Sequence, residues 1–177
     1  GADRMQKMIQ ALLAYSRVDT RVESFESIEV KPLLEQVTDG LAVKIDEADA
    51  AVSLPATTAT VTGDHSQLAQ LFQNLIDNGI KYNTDRPEID ISVRHDGEMV
   101  VIDITDDGIG MEADQIDDIF EVFQRLHTRE EFDGTGIGLS ICRKIVDRHD
   151  GTVDVQSTPG EGSTFTITLP SGEQTDE

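Results

Sequence analysis

Three short stretches of this chain carry groups that could hold a charged, phosphate-bearing ligand. In the first, Gln67, Gln70, Asn74, Asn78 and Lys81 recur at three- and four-residue spacing, so they share one stripe of a helix. Amide oxygens one turn apart can point at one hard cation. Mg²⁺ takes oxygen ligands and shares its shell with phosphates and water. Lys81, one turn on, would add a point charge beside those phosphates. A solvated helix face would give the same stripe. The second stretch is Thr105-Asp106-Asp107-Gly108-Ile109-Gly110-Met111. Asp106 continues the alternation Val100, Ile102, Ile104, which places a carboxylate at the edge of an apolar pocket. Such a carboxylate needs donors, and the exocyclic amine of adenine is one. Gly108 and Gly110 permit close backbone approach. Taken alone, this motif also fits an ordinary turn ending a strand. The third is Asp133-Gly134-Thr135-Gly136-Ile137-Gly138-Leu139, which opens into a helix. Exposed N–H groups and the helix dipole favour phosphate there. A Gly-rich hinge is the alternative, and the Gly-Lys-Ser/Thr ending of a P-loop is absent.

The elements that must position these stretches are legible from periodicity. Met5, Met8, Leu12 and Tyr15, with Ile9 and Leu13 alongside, predict a helix over 4–18 whose apolar stripe needs a partner helix. A polar linker follows. A single helix is expected at about 32–46, with Pro32 in its first turn. Short strands are expected near 28–30, 51–54 and 60–62. The helix at about 65–82 has Asp64 as N-cap and Gln67 to complete a capping box. Its core face is Leu68, Leu71, Phe72, Leu75, Ile76 and Ile80. A hairpin turns at Asp96-Gly97 between Ile89, Ile91, Val93 and Val100, Ile102, Ile104. A helical patch near 112–120, a polar stretch at 124–136 and a helix from about 137 to 149 follow. That last helix is expected to end at Gly151. Strands around 152–157 and 164–169 close the chain. The mixture predicts a two-layer α/β sandwich, one mixed sheet covered on one face by helices.

The order of the three stretches resembles the ATP-binding fold shared by histidine kinases, DNA gyrase B subunits, ninety-kilodalton heat-shock chaperones and mismatch-repair ATPases, the Bergerat-type fold. The wording within them is most similar to sensor histidine kinases. Asn74-Leu-Ile-Asp-Asn78-Gly-Ile-Lys81-Tyr82 resembles the N box, and Asp106 to Gly110 the first glycine box. Phe120 and Phe123 resemble the F box, Gly134 to Leu139 the second glycine box, and Pro159-Gly-Glu-Gly-Ser-Thr-Phe165 the typical ending. The resemblance implies ATP and Mg²⁺ as cofactors. It gives Asn78, supported by Asn74, the metal. It gives Lys81 and Arg125 the phosphates, Tyr82 a place beside the base, and Asp106, helped by Thr164, the reading of adenine. Gly108, Gly110, Gly134, Gly136, Gly138 and Leu139 would complete the nucleotide site, and 124–135 would be its lid. The division implied is residues 1–20 as part of a dimerisation helical hairpin, 21–27 as linker, 28–170 as catalytic domain and 171–177 as a polar tail. Dimerisation helices carrying an acceptor histidine, a response-regulator receiver domain and a homodimeric full-length protein are the implied partners.

One departure is chemically informative. ATPases of this superfamily carry a Glu four residues before the magnesium Asn, and here that position is Asn74. An amide cannot act as general base at neutral pH. A histidine nucleophile, with an unperturbed pKa of about 6.5, has less need of one than water has. The sequence therefore favours transfer to histidine over hydrolysis. A nucleotide-binding module without turnover is the alternative from another class, and Lys81 and Arg125 argue against it. Gly79, where the family usually has Ala, loosens the helix by about 1 kcal/mol. No histidine matches the family's acceptor box: His65, His95, His127 and His149 all lack its flanking residues. The acceptor is expected on another segment or another polypeptide.

Composition excludes other classes. The 177 residues carry 35 acids against 14 bases, a formal charge of −21. Such a field repels nucleic acid and anionic membranes. It suits a protein from a salt-loaded cytoplasm, an acidic mesophile protein being the alternative. The one cysteine, Cys142, excludes an internal disulfide and reads as a small core residue. The histidines and the cysteine show no zinc spacing. Cysteine usage, together with the lack of a signal-peptide pattern and of a spanning apolar run, points to a cytoplasmic domain of a protein either membrane-attached or soluble.

Overall fold

The computed structural model describes residues 5–6, 9–10, 12–13, 25–83, 85–112 and 138–172. Near the N-terminus the described residues are helical, and their apolar members Met5, Ile9, Leu12 and Leu13 are exposed. The body begins with β1 (Glu26–Glu29), followed by α1 (Val30–Gly40) and α2 (Ala42–Ala48). Val30, Leu33, Leu34 and Val37 bury one face of α1 at helical spacing. The single helix expected over 32–46 is thus two. Thr38-Asp39-Gly40 are poor helix formers, and Leu41 leaves helical geometry (φ −101, ψ 10) with its side chain in the core. The second piece, α2, buries no residue.

Then come β2 (Ala51–Ser53), β3 (Thr60–Gly63), α3 (His65–Lys81), β4 (Glu88–Asp96), β5 (Met99–Asp106), α4 (Gly138–Arg148), β6 (Thr152–Thr158) and β7 (Gly162–Pro170). Five strands form a mixed sheet in the order β2-β4-β5-β7-β6, with only β2–β4 parallel. The predicted hairpin is present, with Gly97 at φ 64 in its turn. Ile89 and Ile91, Val100, Ile102 and Ile104, and Phe165, Ile167 and Leu169 alternate inward from β4, β5 and β7. They meet Leu68, Leu71, Phe72, Leu75 and Ile76 of α3 and Ile141, Cys142, Ile145 and Val146 of α4 in one core. The architecture is the expected α/β sandwich. One feature goes beyond it: β1 and β3 form a separate antiparallel pair. A bridge from Val61 to Ser171 and the Gly172 N–H on the Thr60 carbonyl (2.7 Å) tie this pair to the end of β7.

Helix α4 does not stop through Gly151. Asp150 takes the left-handed position (φ 58). Its N–H reaches the Asp147 carbonyl at 3.2 Å, and that of Gly151 reaches Val146 at 2.8 Å. These are the paired bonds of a Schellman cap. Gly151 is needed for clearance instead, since a Cβ there would overlap the Thr168 carbonyl.

Candidate functional site

Helix α3 brings the first chemical stripe to the sheet. Asp64 caps it through the Gln67 N–H (3.0 Å). The returning half of the expected capping box goes elsewhere, because the Asp64 N–H donates to His149 Nε2 at 3.0 Å. Along the stripe Gln67 is buried, Gln70, Asn74 and Asn78 are half-buried and Lys81 is exposed. Asn78 faces a cleft. Asn74, one turn earlier, has its side chain hydrogen-bonded to the Cys142 thiol, whose pKa burial pushes up to about 12. Lys81 Nζ lies 3.3 Å from Asp77 on the same helix, so its charge is held at the surface.

The cleft is shallow and partly open to solvent. Asn78, Tyr82, Asp106, Ile109, Gly110, Met111, Ser163 and Phe165 line it. Asp106 ends β5 with its carboxylate half-buried among apolar groups. Burial raises its pKa. The Gly108 and Ser163 backbone N–H groups pull it back, and the neighbouring Asp107 charge raises it again. The Gly108 N–H meets Asp106 Oδ1 at 2.9 Å. The loop that follows closes on helix α3. The Ile109 N–H donates to the Tyr82 carbonyl at 3.0 Å, and Asp107 Oδ1 accepts from Asn83 Nδ2 (2.8 Å) and the Glu88 N–H (2.9 Å). Gly110 is required twice over: its φ is 72, and a Cβ there would overlap the Thr158 carbonyl.

Of the residues named from sequence, the cleft therefore collects Asn78, Tyr82, Asp106 and Gly110, with Gly108 in its wall. Thr164 is not among the lining residues. Its hydroxyl meets that of Thr105 at 3.1 Å, on the face of the sheet away from Asp106. Ser163 is the residue paired with Asp106 across β5 and β7. The signal for it was in the sequence: Phe165, Ile167 and Leu169 point inward, and strict alternation puts 163, not 164, beside them. Gly138 and Leu139 start α4, Leu139 with its side chain buried. Arg125, Gly134, Gly136, the F box and the helical patch at 112–120 from residue 113 on lie outside the described residues. Among the described residues no cluster of three acidic, His or Cys side chains could hold a metal. Half-buried Asn78 at the cleft offers an amide oxygen of the kind Mg²⁺ takes.

Comparison with known proteins decides the family. Residues 63–173 match the family described as histidine kinase-, DNA gyrase B-, and HSP90-like ATPase. The chain belongs to that family. Across this ATPase-family domain and the segment before it, 173 residues are 40% identical to the phytochrome-like protein Cph1 of Synechocystis sp., covering 97% of this chain and 23% of that protein. The sensor histidine kinase RcsC of Escherichia coli is 32% identical over 93% of this chain and 18% of its own length. The chain thus spans about a quarter or less of the curated relatives it matches here. Among solved structures, full-length ShkA in complex with AMPPNP superposes on 98% of this chain and 37% of its own, with TM-score 0.82 and 22% identity. That likeness shows the fold. Among the described residues, no helix is long and apolar enough to cross a membrane.

Proposed function

We propose that this ATPase-family domain binds Mg-ATP and passes its γ-phosphoryl group to a histidine on a dimerisation helix, as the catalytic part of a sensor histidine kinase. The observation that carries the reading is Asp106: a carboxylate at the end of an apolar strand face, opposite Asn78 and Tyr82 in one cleft. In this reading Asp106 and Ser163 accept from adenine and Tyr82 flanks the base. Asn78 holds Mg²⁺, with Asn74 in support. Lys81, on leaving Asp77, and Arg125 contact phosphates. Gly108 and Gly110, with Gly134, Gly136 and Gly138 of the second glycine box, let backbone approach the nucleotide. A bound Mg²⁺ would neutralise charge on the phosphates. The chain's own part is positioning, which is what phosphoryl transfer chiefly needs. The acceptor nitrogen forms a bond to phosphorus as ADP leaves. Asn74 in place of a carboxylate supports histidine as acceptor over water. Several relatives carry the name sensor histidine kinase, and one structural neighbour is a histidine kinase in complex with a response regulator protein. A receiver domain and a second copy of the full-length protein are accordingly its proposed partners. The charge of −21 supports a cytoplasmic setting rich in salt.

The test uses labelled ATP. The 177-residue chain should bind Mg-ATP and stay unlabelled. A separate polypeptide carrying the acceptor and dimerisation helices should take up acid-labile label. Transfer should be slow, because no tether raises the effective concentration. Acid-stable label on this chain alone would mean a hydroxyl acceptor and end the reading.

A further inference from the structure

Ser157 stands on β6, outside the cleft lining, yet its hydroxyl meets two cleft-lining residues, Met111 and Ser163, and the neighbouring Gly162. The Met111 N–H donates to it at 2.8 Å, the Gly162 carbonyl lies at 2.9 Å and Ser163 Oγ at 2.7 Å. A hydroxyl has one proton and two lone pairs. The carbonyl can only accept and the N–H can only donate. All three contacts are satisfied in one arrangement. Ser157 gives its proton to Gly162, one lone pair to Met111 and the other to the proton of Ser163. Turning the Ser157 proton toward Ser163 would give up the bond to Gly162, taking the hydroxyl proton from the carbonyl of a buried residue. The Ser163 proton is therefore directed away from the cleft, and only its lone pairs remain for a ligand. Beside it, across the β5–β7 pairing, stands the Asp106 carboxylate, also an acceptor.

We infer that Ser157 is a specificity-determining positioning residue: by fixing the direction of the Ser163 hydroxyl it makes the Asp106–Ser163 wall accept only. Such a wall selects a purine whose 6-position carries an amine over one whose 6-position carries a carbonyl. The inference rests on the proposed reading that this cleft holds the base of a nucleotide.

Calorimetry of ATP and GTP binding to the full 177-residue chain with Mg²⁺ tests it. Ser157→Ala frees the Ser163 proton to swing into the cleft. The ATP-to-GTP affinity ratio should then fall by about fivefold, the worth of roughly one hydrogen bond. Ser157→Thr, which keeps the hydroxyl, should restore the ratio. In a Ser163→Ala background Ser157→Ala should leave the ratio where it is. If Ser157→Ala weakens both nucleotides equally, or shifts the ratio as much without Ser163, the residue is a strut and the inference is overturned. Should Ser157→Ala fail to fold, Ser163→Ala alone decides, since an unchanged ratio in that variant also overturns it. A wild-type chain that binds neither nucleotide removes the functional reading and this inference together.

Discussion

Asp106 is costly to the fold, and that cost is informative. Its raised pKa means the ionised carboxylate is less stable in the folded chain than in the unfolded one. The sign follows: this group favours folding fully below its unfolded value of 3.8, and the benefit is lost as pH rises through the raised folded value. At neutral pH, Asp106→Asn should therefore fold at least as stably as wild type, while ATP binding weakens by about 1.5–3 kcal/mol, the worth of a hydrogen bond to a charged group. Thermal melts and calorimetry on one preparation check both halves. Unchanged ATP affinity would remove Asp106 from the base. Asn78→Ala should behave differently, weakening Mg-ATP far more than adenosine. Equal losses would mean that Asn78 serves the base or the fold instead of the metal. Spacing pointed to Asn78 and Asp106, which sit on regular elements of readable period, whereas residue type marked Gly110 and the family resemblance marked Tyr82, both beyond the ends of those elements. It did not point to Ser157, whose part depends on which residue faces it across a strand pair.

Helix α3 is held at its start by a residue 85 positions away. His149 is buried at the end of α4, where Nε2 accepts the Asp64 N–H (3.0 Å) and Nδ1–H donates to the Ile145 carbonyl (2.8 Å). Only the neutral ring with its proton on Nδ1 makes both bonds. The ring also stacks on Phe25, centroids 4.6 Å apart at 11°, and the Arg148 guanidinium carbon lies 5.7 Å from that Phe25 ring. Burial lowers the His149 pKa. The Ile145 carbonyl raises it, as do the Asp64 and Asp150 charges, while Arg148 lowers it. A depressed histidine contributes stability above its unfolded value of 6.5 and loses it as pH falls toward the folded value. His149→Gln should thus melt lower than wild type at pH 7, by about 1–3 kcal/mol for a disturbed buried bond. The gap should narrow on acidification below 6.5. A gap constant with pH would mean His149 does not titrate against the fold. The long apolar periods of α3, α4 and the hairpin made them readable from sequence. The His149 cap was not, because local spacing nominated Gln67 and nothing local marks a partner so distant. The β1–β3 pair escaped for the same reason, while the break at Leu41 joins a local weakness, Thr38-Asp39-Gly40, to the burial of Leu41 in the core.

At the scale of the molecule, charge is the feature that neither the fold nor the cleft requires. Cations meet carboxylates at several surface pairs, among them Lys44 and Lys81 on Asp77, Arg86 on Asp49, Arg94 on Asp103 and Arg143 on Asp147. Exposed pairs of this kind contribute little, about 0–1 kcal/mol each. With 35 acids and 14 bases, 21 carboxylates would remain in excess even if every cation were paired. Repulsion among them acts against the compact state. Salt screens attraction and repulsion alike, so the sign of its effect reports which is larger here. The melting temperature should accordingly rise between about 0.1 M and 2 M KCl, as the screening length falls from about 10 Å to below about 3 Å. The shape of the rise identifies its cause. Screening is nearly exhausted by about 1 M, where the screening length is already shorter than the spacing of neighbouring surface charges. Strengthened apolar burial by excluded salts would instead keep increasing with concentration. A steep early rise that flattens is the expected curve. A melting temperature that stays level or falls over this range would leave the acidic surface without a stabilising partner in salt, and the saline-cytoplasm reading would go with it.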